Sequence, residues 1–200
     1  FILSDDIYEH LTYDNFKFFT IAQIKDLKDR TLTMNGVSKS YAMTGWRIGY
    51  GAATKEIIKA MAKLQSQSTT NPSSISQAAA VEALNGNQDF MLKRNQTFKE
   101  RRDFVVETLN KIEGISCLKP NGAFYVFPNC LKFLNKKDKT GKIIKNDSDF
   151  VNSLLENYQV AVVQGSAFGL EGYFRISYAT SMDNLKKALD RISNFCKSLN

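Results

Sequence analysis

The run Ser38-Lys39-Ser40-Tyr41-Ala42-Met43-Thr44-Gly45-Trp46-Arg47-Ile48-Gly49-Tyr50 joins a lysine to an arginine eight residues later. Lys39 lies among small residues just after an apolar stretch. Arg47 opens the next such stretch, and Gly49 and Gly51 share its face if the backbone alternates with period two. Glycines on that face would let a ligand lie close to the backbone. Lys39 would then be an amine nucleophile and Arg47 a clamp for a phosphate. A surface lysine and a salt-bridged arginine fit the same spacing.

Two further segments carry charge where apolar residues dominate. In Asp5-Asp6-Ile7-Tyr8, a carboxylate ends a strand-like stretch and a phenol follows three residues on. A carboxylate buried there needs a cationic partner, because an unpaired charge out of water is expensive. A protonated pyridine nitrogen is one candidate; a capping Asp beside a packed Tyr is the plainer alternative. In Gly172-Tyr173-Phe174-Arg175-Ile176-Ser177-Tyr178, Arg175 sits between Phe174 and Ile176. Its guanidinium is never neutral, so it calls for a fixed anion or for an edge strand open to water.

These groups need elements to position them. Phe1 to Ser4, Thr31 to Met34 and Trp46 to Ala52 read as short strands. Asp5 thus falls at a strand end, where open α/β sheets place ligand chemistry. Ile57, Ile58, Met61 and Leu64 recur at helical spacing from Lys55 to Gln67. Asn71-Pro72 reads as a cap and first-turn proline for a small-residue helix through Ala83. After Asn85-Gly86-Asn87, Met91, Phe98, Val105 and Ile112 recur every seven residues, predicting one long amphipathic helix ending near Gly114. Beyond it, Gly122 to Phe127, Val160 to Val163 and Tyr173 to Tyr178 read as strands and Ser148 to Tyr158 as a helix. Ser181 caps a last helix bearing Leu185, Leu189, Ile192, Phe195 and Leu199 on one face. The division is residues 1–84, part of a larger α/β sheet; 85–113, a connecting helix; and 114–200, a smaller α/β domain.

With 200 residues, 43% of them hydrophobic, the chain can bury a real core and is neither fibrous nor disordered. Its first residues are strand-like and lack an initial Met, so more chain is expected upstream. The net charge of +7 comes from 27 basic residues interleaved with acids, a pattern of solvated faces rather than of a nucleic-acid stripe. The densest basic cluster, Lys132 through Lys145, reads as an exposed loop or hairpin around Gly141. No apolar run is long enough to span a bilayer. Cys117, Cys130 and Cys196 are odd in number without metal-type spacing, as expected of reduced thiols in a cytoplasmic protein. His10 has no partner pattern and reads as structural or surface.

In order along the chain, Asp5-x-x-Tyr8, Ser38-Lys39 through Gly45-x-Arg47-x-Gly49, Pro120-x-Gly122-Ala123-Phe124-Tyr125, Val162-Val163-x-Gly165-x-x-Phe168-Gly169 and Phe174-Arg175-Ile176-Ser177 resemble the class I/II aminotransferases of fold type I. The similarity is to their bacterial aspartate or aspartate/prephenate branch, and to its C-terminal half. Gln164 stands where many members carry proline. The resemblance implies the last strands of the large-domain sheet plus a small C-terminal domain, with pyridoxal 5'-phosphate as cofactor. It implies that Lys39 holds the cofactor as a Schiff base and shuttles the substrate proton, Asp5 pairs with the pyridine nitrogen and Tyr8 with the phenolic oxygen. Arg47 would bind the phosphate, and Arg175 the substrate α-carboxylate. The implied activity is ping-pong transfer of an amino group between L-aspartate and 2-oxoglutarate in a cytoplasmic homodimer, with the Gln65 to Ser74 stretch near the subunit interface. Prephenate, aromatic or other amino acids, or a non-catalytic aminotransferase-like module, are the alternatives. The other half of the family's site is absent, so these 200 residues alone are expected to bind cofactor poorly.

Overall fold

The structure, a computed structural model, describes residues 1–200. The chain forms two compact units, Phe1–Asn95 and Gln96–Asn200.

In the first unit, strands β1 (Ile2–Asp5), β2 (Thr31–Gly36) and β3 (Gly49–Ala52) form a sheet in that order. β1 and β2 are parallel, in register from Ile2↔Thr31 to Asp5↔Met34. β3 returns antiparallel to β2, from Gly36↔Gly49 to Thr33↔Ala52. A short helix α1 (Lys25–Lys28) precedes β2, and helices α2 (Lys55–Ser66) and α3 (Ser74–Asn85) follow β3. The periodic stripe of α2 is present, yet α2 buries no residue within the unit. Helix α3 begins later than the Asn71-Pro72 signal suggested: Ser73 is its cap residue. The Pro72 carbonyl accepts from the Gln77 side-chain amide at 2.9 Å.

The long helix α4 (Phe90–Asn110) forms as the seven-residue recurrence predicted and stops a turn short of Gly114. Met91, Val105 and Ile112 are buried. Gly114 adopts φ +93, which only glycine holds without strain.

In the second unit, β4 (Tyr125–Val126), β5 (Val163–Gln164) and β6 (Phe174–Ser177) form an antiparallel sheet ordered β4-β6-β5. Helices α5 (Asp147–Tyr158) and α6 (Met182–Ser198) supply much of the core. The strands are shorter than their apolar runs. Ala123 turns to φ +60, which ends extended backbone ahead of Tyr125, and β5 pairs only at Val163 and Gln164. Helix α5 begins one residue before the expected Ser148, and Asn146 caps it by accepting from the Asp149 amide at 2.9 Å. Ser181 caps α6 as read, accepting from the Asn184 amide at 3.2 Å. The predicted stripe of α6 is buried throughout: Leu185, Leu189, Ile192, Phe195 and Leu199. Phe150 packs against Phe174 and Phe195 with centroids 5.1 and 5.0 Å away. Each such fully buried side chain stabilises the fold by about 1.5–3 kcal/mol.

The basic stretch around Gly141 is a hairpin, with Lys137 bridged to Ile143 and Gly141 at φ +88. It is not simply exposed, because Ile144 and Asp138 are buried in it. Asp138 accepts from the Ser153 and Thr140 hydroxyls, each at 2.6 Å, and from the Thr140 and Lys142 amides. Burial raises its pKa, but these hydrogen bonds outweigh that and hold it at about 2. Asp103 also sits at about 2, because hydrogen bonds from Lys119, Lys99 and Arg102 overcome the upward push of burial. Both carboxyls titrate below their unfolded value. Their contribution is therefore complete above about pH 4 and is lost as pH falls through about 2. Acid unfolding followed by circular dichroism is expected to fall in that window. Asp138→Asn should be less stable at neutral pH, with a shallower acid dependence; an unchanged acid profile would contradict the assignment.

The three cysteines are buried and unpaired, and burial pushes Cys117 up to about 11 and Cys130 and Cys196 up to about 12. No helix is long and apolar enough to cross a membrane.

Candidate functional site

Strand direction gathers four of the five candidate residues at one edge. β1 and β2 are parallel, so both deliver their following loops to the same end of the sheet. Asp5 is the last residue of β1 and Tyr8 lies in the turn after it. Lys39 lies in the turn that follows the end of β2 at Gly36. β3 runs the other way, so Arg47, just before Gly49, enters from that same end. It is the carboxyl edge of the parallel pair, where open α/β sheets bind ligands.

The loop from Lys39 to Arg47 is bolted at its base. The Val37 amide donates to the Ile48 carbonyl at 3.3 Å, and the Tyr41 and Met43 amides both donate to the Val37 carbonyl. Val37 and Ile48 are buried with Ala80, with Tyr41 and Met43 packed against them. The chain crossing is close: a Cβ on Gly36 would lie 2.9 Å from the Ile48 carbonyl oxygen, so only glycine fits there. Lys39 is half-buried above this small core.

Arg47 departs from expectation. Residues Thr44–Trp46 form a 3₁₀ turn and Arg47 is left-handed, at φ 56 and ψ 45. It is not in extended backbone, so the shared face with Gly49 and Gly51 does not exist; the strand begins only at Gly49. The Arg47 guanidinium is exposed and donates to the Thr44 carbonyl at 2.9 Å. Asp5 departs too. It is exposed and accepts weakly from the Ile7 amide at 3.4 Å, whereas the buried carboxylate is Asp6, which accepts from the Ser4 hydroxyl at 2.7 Å. The demand of a buried charge for a partner thus applies to Asp6, which has one. His10 is exposed beside Glu9, at 3.3 Å.

Arg94 was not singled out from sequence. Its guanidinium donates to the Ser40 carbonyl next to Lys39 and lies 5.2 Å from the Phe90 ring centroid. Desolvation pushes its pKa down. Burial raises the pKa of the neighbouring Tyr41 phenol, with Glu9 adding to the rise and Arg94 opposing it. The signal was present: Arg94 falls four residues after Phe90, on the apolar side of its helix.

Arg175 belongs to the second unit. Phe174 and Ile176 on either side of it are buried in the core, so Arg175 stands on the opposite face of β6. Its guanidinium carbon lies 4.5 Å from the Tyr125 ring centroid and 4.3 Å from that of Phe168. The ion pairs of Asp103, Glu107 and Asp149 are made with other cations, not with Arg175. Aromatic faces hold this cation, and its N–H donors remain available for an anion.

An amine, a carboxylate, a phenol and a guanidinium thus lie at one carboxyl edge of an open α/β sheet. The family model described as aminotransferase class I and II matches residues 1–192, and the chain belongs to that family. It is 59% identical over 199 residues to the aspartate aminotransferase of Rhizobium meliloti (strain 1021), covering 99% of this chain and 48% of that protein. It is 58% identical over 199 residues to the probable aspartate/prephenate aminotransferase of Rickettsia typhi (strain ATCC VR-144 / Wilmington), covering 99% of this chain and 50% of that one. The crystal structure of the aspartate aminotransferase from Rhizobium meliloti superposes with a TM-score of 0.95 at 59% identity, over 99% of this chain and 50% of that chain. The chain thus spans about half the length of the curated relatives it matches. The family is pyridoxal-phosphate-dependent, and the donor set at the first unit's sheet edge is chemically suited to that group.

Proposed function

We propose that the protein carrying this chain transfers an amino group between L-aspartate and 2-oxoglutarate by a ping-pong scheme. The observation that carries the reading is the placement of Lys39, Asp5, Tyr8 and Arg47 at one carboxyl edge, in a chain of this family. When bound, pyridoxal phosphate supplies an electron sink for the pair left behind when the substrate Cα–H bond breaks. The Lys39 Nζ would hold the cofactor covalently and, when not so engaged, would carry the proton removed from the substrate α-carbon. The Asp5 carboxylate would accept a hydrogen bond from the ring N–H and so keep that nitrogen protonated. Tyr8 would donate its hydroxyl to the ring's phenolic oxygen, and the Arg47 fork would neutralise the phosphate. Arg175 would take the α-carboxylate bidentately, which would restrict the orientation of the Cα–H bond.

The protein would be a cytoplasmic homodimer. The unpaired cysteines support the compartment. The apolar side chains exposed on α2 and α3, among them Leu64, Ile75 and Val81, support a further packing partner. A second reading, prephenate as amino acceptor, is favoured by the name of the Rickettsia typhi relative.

A substrate panel decides between them. The visible absorbance of the cofactor is expected to change on adding L-aspartate and to return on adding 2-oxoglutarate. Aromatic amino acids should act at least about tenfold more slowly, a difference of about 1.4 kcal/mol in transition-state binding. Prephenate outpacing 2-oxoglutarate as acceptor would establish the second reading. No response to any amino acid would overturn both and leave a non-catalytic module.

A further inference from the structure

Phe168, the second ring against Arg175, is about half exposed and meets Phe127 edge-on with centroids 6.1 Å apart, so packing alone restrains it from one side only. It ends the 3₁₀ turn Gly165–Phe168, and that turn is fixed from three sides. The Gly165 amide donates to the Tyr173 carbonyl at 2.7 Å, and any side chain at Gly165 would collide with the Leu170 carbonyl oxygen. Gly169 closes the turn at φ +78. The third restraint comes from far along the chain: the Asp147 Oδ2 accepts from the Ser166 amide at 2.6 Å. Asp147 is 1% exposed and sits in the first turn of α5, where the positive end of the helix favours a carboxylate. A charge so buried must be matched, and this one is matched by the turn's backbone amide.

We propose that Asp147 and Phe168 are positioning residues for Arg175: the buried carboxylate locks the Gly165–Phe168 turn, and the ring on that turn pre-orients the guanidinium fork for a substrate carboxylate. The inference rests on the reading of Arg175 as the carboxylate clamp. An arginine is rotamer-rich, and ordering it on binding opposes affinity. Two aromatic faces remove that freedom beforehand without occupying the N–H donors, as an ion pair would. Tyr125 is set by its pairing with Ser177 in the sheet. Phe168 has no such strand, and Asp147 takes its place.

Steady-state kinetics of the cofactor-loaded protein test this. Phe168→Leu should raise KM for both the amino acid and the 2-oxo acid about tenfold, leaving kcat within about twofold and the cofactor spectrum unchanged. Asp147→Ala should do the same, and Asp147→Asn, which keeps an acceptor for the Ser166 amide, should recover most of the loss. If Asp147→Ala does not fold, the half-exposed Phe168→Leu decides. Unchanged KM values in Phe168→Leu, or Asp147→Asn as impaired as a folded Asp147→Ala, overturn the inference. Arg175→Ala separates the two levels. It should raise KM about 100-fold, the loss expected when a charge-assisted fork is removed. If it does not, the clamp reading itself falls; if it does while Phe168→Leu is silent, only the positioning role falls.

Discussion

Lys39→Ala is expected to lower kcat by more than about 10⁴-fold, because in the proposed scheme one side chain would serve as both covalent anchor and proton carrier. Loss of a positioned general base alone costs about 10²–10⁴-fold, and loss of the nucleophile removes the route that splits one difficult step into easier ones. Folding should be nearly unaffected, within about 0.5 kcal/mol. The loop is held by backbone bonds between Val37 and Ile48 and by the apolar contacts of Val37, Ile48 and Ala80. Two measurements separate site from scaffold. Turnover with L-aspartate and 2-oxoglutarate should vanish while the thermal midpoint stays. Borohydride treatment followed by peptide mass spectrometry should place the cofactor mass on the Lys39 peptide of the unaltered protein and on no peptide of the variant. Turnover within tenfold of the unaltered protein, or cofactor fixed to another lysine, would sink the assignment.

Much of the framework was legible because period and punctuation are local. The long helix followed from Met91, Phe98, Val105 and Ile112, and α6 from Ser181 and its buried stripe. The gathering of the site at one edge was partly legible, since an Asp at a strand end and a lysine after the next strand fit a parallel pair. What could not be read was backbone handedness. Nothing in Gly45-Trp46-Arg47 announces that Arg47 turns left-handed, so period-two reasoning was extended three residues too far. Which of two adjacent aspartates is buried was equally closed, because alternation fixes relative faces and not which face is covered; Asp6, not Asp5, went inside. Long-range polar contacts are invisible to any window. Asp147 reaching Ser166, and Arg94 reaching the carbonyl of Ser40, each depend on packing that brings distant residues together.

The same holds for Arg102, and there the energetic consequence is largest. Its side chain is fully buried, yet Asp103, its partner, is about a third exposed. Nε donates to the Asp103 carboxylate at 2.9 Å, Nη1 donates to the Pro120 carbonyl at 2.9 Å, and Nη2 lies 2.7 Å from Asp103 Oδ1. Asp103 also binds Lys99 and Lys119, each at 2.9 Å. The two partners are therefore unequal. Removing Asp103 takes the carboxylate away from a dry guanidinium, and breaking a buried pair in that way costs about 3–5 kcal/mol. Removing the arginine leaves Asp103 with two lysines and water. Arg102→Met, which keeps most of the volume, should cost only about 1–2 kcal/mol, chiefly for the stranded Pro120 carbonyl. Pro120 begins the segment that leads to Tyr125, so the bond to its carbonyl ties the base of one Arg175 wall to α4. Denaturant unfolding of Asp103→Ala and Arg102→Met is expected to show this asymmetry, with the aspartate variant the weaker by at least about 1 kcal/mol. Equal losses, or a larger one in Arg102→Met, would mean that water reaches the guanidinium once Asp103 is gone and that its burial is not what fixes the pair.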